Sequence, residues 1–152
     1  MKKKVLILIA VILFLGTTIF ILTEGIEDKV WTTTRGETDL IKLFSLQDGE
    51  IIKSPLIVTG KARGSWFFEA DFPVLLTDWD GLIIAESSAQ AQENWMTTDY
   101  VSFEAVLVFE SPVFPGADEE HFSRRGYLIL QKDNPSALPE YDDALEVSIK
   151  FK

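Results

Sequence analysis

Hydrophobic residues follow two patterns along this chain, one continuous and one alternating. Near the N-terminus, the 18 residues from Val5 to Leu22 carry no charge. From Leu40 onward, hydrophobic and polar residues alternate with a period of two, which is typical of strands that bury one face. The patterns predict an apolar segment followed by an all-β domain.

Three segments show the alternation most clearly, and each places its larger apolar residues on one face: Val101, Phe103, Ala105, Leu107 and Phe109; Phe68, Ala70, Phe72, Val74 and Leu76; and Leu145, Val147, Ile149 and Phe151. Shorter runs at 40–44, 56–62, 82–91 and 126–132 bring the total to about seven strands, a number typical of an antiparallel β-sandwich. We expect Phe68, Phe72, Phe103, Leu107, Val147 and Ile149 to share one core.

The stretch TDWDG, residues 77–81, predicts a hairpin with Asp80 and Gly81 as a two-residue type I′ turn. Counting back from this turn gives four pairs of facing residues: Leu76 with Ala85, Val74 with Ser87, Phe72 with Ala89, and Ala70 with Ala91. In the first three pairs a large inward residue meets a small one. Dense packing between sheets favours such a register.

The continuous apolar segment predicts a membrane-spanning helix. As an α-helix it is about 27 Å long, close to the ~30 Å hydrocarbon core of a bilayer. Three lysines at positions 2–4 precede it, so the positive-inside rule keeps the N-terminus cytoplasmic and places the rest of the chain outside. The alternative is a cleaved signal, for which Thr23-Glu24-Gly25 offers a weak cleavage pattern.

The predicted organisation has three parts. Residues 1–22 form a membrane anchor or uncleaved signal, residues 23–39 form a polar linker, and residues 40–152 form the β-sandwich domain. The predicted location is the cell membrane, with a single span and the domain facing outside the cytoplasm.

Composition narrows the classes of partner and chemistry. Beyond residue 22 the chain carries 11 basic and 24 acidic residues, a net charge of −13. This charge repels phosphate backbones, so nucleic acid is not expected as a partner. The sequence contains no cysteine, which excludes disulfides, thiolate metal sites and a lipid-modified N-terminal cysteine.

The single histidine, His121, lies in the acidic stretch GADEEHF. A zinc site needs three or four converging ligands, which this stretch does not supply by itself. Ser123 lies near His121, but a catalytic triad also requires an orienting carboxylate and an oxyanion hole. A solvated loop is the preferred interpretation.

Paired carboxylates offer two further possibilities. Asp78 and Asp80 flank the tip of the predicted hairpin, whereas a glycosidase needs its pair across a cleft. Calcium requires six to eight oxygen ligands, and neither these residues nor Asp142 and Asp143 complete a calcium-loop pattern. We therefore predict no enzyme, no cofactor and no metal site.

Three segments together carry a family resemblance: SPLIVTGKARGSWFFEADFPVLLTDWDG, WMTTDYVSFEAVLVF and GYLILQKDNPSALPEYDDALEVSIKF. In this order and spacing, they resemble the immunoglobulin-like domain of bacterial spore germination over about residues 43–152. The resemblance implies an extracytoplasmic bacterial β-sandwich, often tethered to the membrane, and it implies no catalytic residues. The family pattern has glycine where this chain has Ala137 and a small polar residue at the position of Asp71.

The stretch KDNPSALPE, residues 132–140, is predicted to be the last loop between strands. Asp133 and Asn134 favour turns closed by their own side chains, and the prolines fix φ, so a rigid loop explains these residues without a ligand. The alternative is a binding loop, because immunoglobulin-like folds place recognition in loops at the ends of the sandwich.

Recognition is therefore expected at loops, and three are rich in aromatic or polar groups: GSW, ENWMTTD and KDNPSALPE. The first and last belong at the same end of a sandwich, which places Trp66 near Asp133 and Asn134 as an aromatic surface beside hydrogen-bonding groups. Such a surface suits glycan or peptide. Tryptophans here, including Trp79, are also interpretable as core residues.

The predicted function is a membrane-tethered, non-catalytic binding or interaction module of the bacterial cell envelope. Its expected partners are the membrane, through the N-terminal helix, and an envelope glycan or protein. The alternatives are an envelope glycan hydrolase and a purely structural spacer or assembly subunit.

Overall fold

The computed structural model describes residues 40–152, so the predicted anchor at 1–22 and linker at 23–39 lie outside the described residues. Within residues 40–152 there are eight strands and no α-helix. The strands are β1 (Ile41–Leu43), β2 (Glu50–Ile52), β3 (Leu56–Arg63), β4 (Asp71–Thr77), β5 (Ile83–Ala91), β6 (Tyr100–Leu107), β7 (Arg125–Gln131) and β8 (Ala144–Phe151). Three 3-10 turns lie at Gly64–Trp66, Phe122–Arg124 and Pro139–Tyr141.

The strands form one hydrogen-bonded sheet in the order β1-β3-β6-β5-β4-β7-β8-β2. Strands β5 and β6 pair at only two positions, Gln90 opposite Glu104 and Ala91 opposite Phe103. The sheet folds over at this narrow connection. Phe109, just after β6, contacts Phe151 of β8 at 5.7 Å between ring centroids, although three strands separate β6 from β8 in the sheet order. The fold is therefore all-β and sandwich-like.

The core lies between the two halves of the folded sheet. The predicted alternation is confirmed for three strands. The inward residues are Val101, Phe103, Ala105 and Leu107 of β6, Phe72, Val74 and Leu76 of β4, and Val147, Ile149 and Phe151 of β8, all buried. Phe103 packs over Gly60 of β3, where an added Cβ would lie 2.6 Å from the ring Cζ atom and would collide with the carbonyl oxygen of Lys42. Glycine at position 60 therefore makes room for the ring.

The prediction that Phe68 lies in the core is wrong, because its side chain is 40% exposed. Glu69 and Ala70 adopt positive φ angles of 51° and 72° and form a tight turn. The Phe68 N–H donates to the Asp71 carbonyl at 3.0 Å, and the Asp71 N–H donates back at 3.2 Å. This turn interrupts the alternation just before β4, and Phe67 occupies the core instead, at 4% exposure.

The strand count and strand direction also differ from the expectation. The sheet contains eight strands rather than about seven, because β2 was not predicted. Strand β2 pairs with β8 in parallel, so the sandwich is not wholly antiparallel. Only Ile52 of its three residues is buried, which leaves no alternation to detect.

The register of the β4–β5 hairpin is confirmed, with Phe72 opposite Ala89, Val74 opposite Ser87 and Leu76 opposite Ala85. The turn itself is longer than predicted. The Gly81 N–H donates to the Asp78 carbonyl at 3.2 Å, the Asp78 N–H donates to the Leu82 carbonyl at 3.0 Å, and Gly81 has a φ of 82°. A register shift between Leu76 and Thr77 compensates for the longer loop.

These contacts lead to a prediction about the core. Replacing Phe72 or Phe103 by Ala removes a fully buried ring, so each change is expected to lower the free energy of unfolding by about 3–5 kcal/mol. Phe68→Ala is the matched control, because a ring that is 40% exposed should change it by only about 1 kcal/mol. Denaturant unfolding of the three variants measures the difference, and equal losses would contradict the assignment of the core.

Candidate functional site

Three loops converge at one end of the sandwich, which we call the loop end: residues 64–70, 92–99 and 132–143. The Gly64 N–H donates to the Asp99 carbonyl at 3.1 Å, and an added Cβ on Gly64 would collide with the carbonyl oxygens of Trp95 and Thr97. The Asp133 N–H donates to the Trp66 carbonyl at 3.1 Å. The first loop is thus in contact with both others.

The structure brings Trp66 and Asp133 together, 67 positions apart in the sequence, but through their backbones. The indole of Trp66 is 0% exposed and packs edge-on against Phe72 at 6.3 Å between centroids. The expected aromatic surface at Trp66 is therefore not present, because the side chain lies in the core. Its Nε1 is buried without a hydrogen-bond partner among the described residues.

Asn134 holds the 132–143 loop together through its side chain. Its amide nitrogen donates to the Leu138 carbonyl at 2.9 Å and to an Asp142 carboxylate oxygen at 2.7 Å. Its amide oxygen accepts from the Ser136 hydroxyl at 2.6 Å. Ala137, where the family pattern has glycine, has a φ of 53°, a region in which glycine is favoured.

The Asp133 carboxyl group lies in an acidic environment. Partial burial raises its pKa above the ordinary value, and the nearby charges of Asp71 and Glu69 raise it further, while a hydrogen bond from the Asn134 backbone acts in the opposite direction. Asp71 itself accepts a hydrogen bond from the Gln90 side chain at 3.0 Å. The charged form of Asp133 is therefore destabilised by its surroundings at the loop end.

A second group of side chains lies at the opposite end of the sandwich, which we call the aromatic patch: Trp79, Phe114, His121 and Phe122. Trp79 is at the tip of the β4–β5 hairpin, and the other three belong to the segment between β6 and β7. Trp79 and Phe122 pack edge-on at 4.7 Å between centroids, and Phe122 stacks on His121 at 4.4 Å. The sequence does not reveal this patch, because the tryptophan and the phenylalanines are distant in the chain and only the fold places them together.

The residues considered for catalysis have structural roles at this end. The His121 Nδ1 lies 2.9 Å from the Ser123 hydroxyl oxygen and accepts from the Ser123 N–H at 3.2 Å. The Ser123 hydroxyl is buried and accepts from the Phe114 N–H at 3.1 Å. One carboxylate oxygen of Asp78 accepts from the N–H groups of Asp80 and Leu82, both at 2.9 Å. These groups hold a 3-10 turn and a hairpin loop.

Comparison with protein families supplies the decisive observation. The family model of the immunoglobulin-like domain of bacterial spore germination matches residues 40–118, just over half of the 152 residues. The chain belongs to this family. The matched region contains β1 to β6, and β7 and β8 continue the same sheet. No curated protein and no solved structure matches the chain.

Membership in this immunoglobulin-like germination family indicates a non-catalytic module. In the part of the chain from residue 40 to residue 152, no group of three or more His, Asp or Glu side chains is arranged to hold a metal ion. The acidic pair Asp142 and Asp143 takes part in the 132–143 loop, where Asp142 accepts from Asn134 and Asp143 accepts from the Ala144 N–H at 2.9 Å.

The raised pKa of Asp133 predicts how this family member responds to pH. A carboxyl group whose folded pKa is raised contributes stability that is present below its ordinary value of 3.8 and is lost as pH rises through the folded pKa. Asp133→Asn removes this loss, so the variant is expected to be slightly more stable than the native protein at neutral pH and equally stable below pH 3.8.

Thermal unfolding at both pH values measures the effect. Asp80→Asn is the matched control for the loss of one negative charge, because Asp80 is exposed at the opposite end of the sandwich. A gain at neutral pH that is the same for both variants would contradict the specific role of Asp133.

Proposed function

We propose that this chain is a non-catalytic interaction module of the bacterial cell envelope, held at the membrane by its N-terminal segment with the β-domain outside the cytoplasm. The observation that carries the proposal is membership in the immunoglobulin-like family of spore germination. A germination-related, non-enzymatic domain acts by contact with other components, so recognition rather than chemistry is its task.

The proposal of a membrane tether rests on the N-terminal sequence. The uncharged run from Val5 to Leu22 follows three lysines and is long enough to span a bilayer. Within the described residues 40–152, no helix has the length and apolar character to cross a membrane. The chain enters the domain at the loop end, where the Arg63 N–H donates to the Leu40 carbonyl at 2.6 Å.

The proposal of binding at the loop end rests on Asp133 and Asn134. Both residues are half-buried in a loop that internal hydrogen bonds hold in one shape, which lowers the conformational cost of binding. The side chain of Trp66 lies in the core, and its backbone carbonyl accepts the Asp133 N–H at the base of this loop. Its role in the proposed site is to position the loop, and an envelope glycan or protein is the proposed partner.

The tether leads to the first test. The mature protein is expected to retain Met1 to Leu22 in the membrane fraction, because the cleavage pattern after Leu22 is weak. Mass spectrometry of the purified protein measures its N-terminus, and protease added to cells without a wall is expected to digest the domain. An N-terminus after Gly25, or a domain protected from protease, would exclude the proposed tether.

The loop end leads to the second test, in which the full-length chain is incubated with purified cell wall and with membrane extract. Asp133→Ala is expected to reduce binding by about tenfold while thermal unfolding changes little. Asn134→Ala removes the hydrogen bonds that shape the loop, so it is expected to reduce both binding and thermal stability. Glu104→Gln, an exposed change on β6, is the control and should bind normally. Loss of stability without a specific loss of binding would assign these residues to architecture and favour a structural spacer.

A further inference from the structure

The aromatic patch contains the only histidine of the chain, His121, which lies directly before the 3-10 turn Phe122–Arg124. Its side chain is half-buried and caps that turn, because its ring nitrogen Nδ1 accepts the Ser123 N–H at 3.2 Å. Caps of this kind are usually made by a side-chain oxygen of serine, threonine, aspartate or asparagine. A histidine nitrogen differs from these oxygens because it takes up a proton near neutral pH.

The hydrogen bonds at His121 require an unprotonated Nδ1. The Ser123 hydroxyl oxygen accepts the Phe114 N–H at 3.1 Å, which leaves the hydroxyl hydrogen to donate to Nδ1, 2.9 Å from that oxygen. Nδ1 thus accepts from both donors of Ser123, the N–H and the hydroxyl. An imidazole nitrogen accepts only through its lone pair, so the ring is neutral in this arrangement and carries its hydrogen on Nε2.

Protonation of Nδ1 reverses this network. Both nitrogens of an imidazolium ring donate and neither accepts, so the Ser123 N–H loses its acceptor and Nδ1 donates to the Ser123 hydroxyl oxygen. The hydroxyl hydrogen then needs another acceptor, but Ser123 is 0% exposed and no other acceptor contacts this hydroxyl within residues 40–152. A buried donor without an acceptor is destabilising, so the described arrangement does not accommodate a charged His121.

Charges of both signs surround the imidazole at this end of the sandwich. The carboxylates, which favour a charged ring, are those of its own segment and of the β4–β5 hairpin: Asp118, Glu119, Glu120, Asp78 and Asp80. The cations, which oppose it, lie on its own segment and at the ends of β2, β7 and β8: Arg124, Lys53, Arg125, Lys150 and Lys152. Within residues 40–152 no carboxylate forms an ion pair with His121, and Glu120 lies 3.7 Å from Lys150 instead. No ion pair therefore compensates a protonated His121 for the lost cap.

We propose that His121 is a pH-dependent cap, which holds the 3-10 turn and the aromatic patch in the described arrangement when neutral and releases the turn on acidification. Phe122, the first residue of the turn, stacks on the imidazole at 4.4 Å between ring centroids and packs against Trp79 at 4.7 Å. Phe114 is linked to the same network through its N–H. Release of the turn therefore changes how all three rings are arranged. This device depends neither on the membrane tether nor on binding at the loop end.

The test uses the full-length, isotope-labelled chain in micelles of an uncharged detergent, between about pH 5 and about pH 8. Nuclear magnetic resonance follows the amide proton of Ser123 and the two ring nitrogens of His121, whose signals are unambiguous because the chain has no other histidine. At the highest pH, the hydrogen is expected on Nε2 and not on Nδ1. As the pH falls, the ring nitrogens and the Ser123 amide are expected to change with one common midpoint, because one protonation removes the hydrogen bond between them.

His121→Asn is the matched variant, because the asparagine side-chain oxygen caps a helical turn but does not titrate in this range. At the lowest pH, hydrogen exchange of the Ser123 amide is expected to be about fivefold faster in the native chain than in this variant, and at the highest pH the two rates are expected to be similar. The proposal is overturned if both chains respond equally to pH, if Nδ1 carries the hydrogen at the highest pH, or if the ring titrates while the Ser123 amide does not respond. If His121→Asn weakens the turn at every pH, the common midpoint in the native chain carries the test.

Discussion

The contact between Phe72 and Phe103 holds the two layers of this domain together. The rings lie 5.0 Å apart at 75°, and both are almost wholly buried. Because β5 and β6 share only two paired positions, backbone hydrogen bonds alone do not fix how the layers meet. Packing of side chains does, and Gly60 is required beneath Phe103 for the ring to lie in the core.

The loop end depends on this same packing. Trp66 and Phe67 both contact Phe72 edge-on, at 6.3 and 5.1 Å between centroids, and the Trp66 carbonyl accepts from the Asp133 N–H. The aromatic core thus extends to the base of the 132–143 loop. Phe72 is therefore linked to the 132–143 loop through the Trp66 side chain and one backbone hydrogen bond.

Much of the fold follows from the sequence, because alternation reports directly which face of a strand is buried. The register of β4 and β5 was predictable by counting back from the turn at Asp80 and Gly81, a count that places Phe72 and Val74 opposite the small residues Ala89 and Ser87. Phe68 was assigned wrongly because Glu69 and Ala70 adopt positive φ angles, which residues with a Cβ rarely do. Strand β2 is too short and too exposed to leave a pattern.

The loop end could be predicted from the sequence in part, whereas the aromatic patch could not. The approach of the Trp66 and Asp133 backbones follows from the order of strands in an immunoglobulin-like fold, but the burial of the indole does not, because it depends on packing against Phe72. The aromatic patch joins Trp79 to Phe114 and Phe122 across two strands of intervening sequence. A local pattern carries no signal for such a cluster, and only the three-dimensional fold reveals it.

The parallel pairing of β2 with β8 has a mechanical consequence. Leu40 lies beside Arg63, and Lys152 lies beside Ile52, whose carbonyl accepts from the Lys152 N–H at 3.1 Å, so the first and last described residues lie at opposite poles of the sandwich. Tension between Leu40 and Lys152 acts along the strands and loads the β1–β3, β7–β8 and β2–β8 hydrogen bonds in shear. Hydrogen bonds loaded in this way share the force instead of opening one after another.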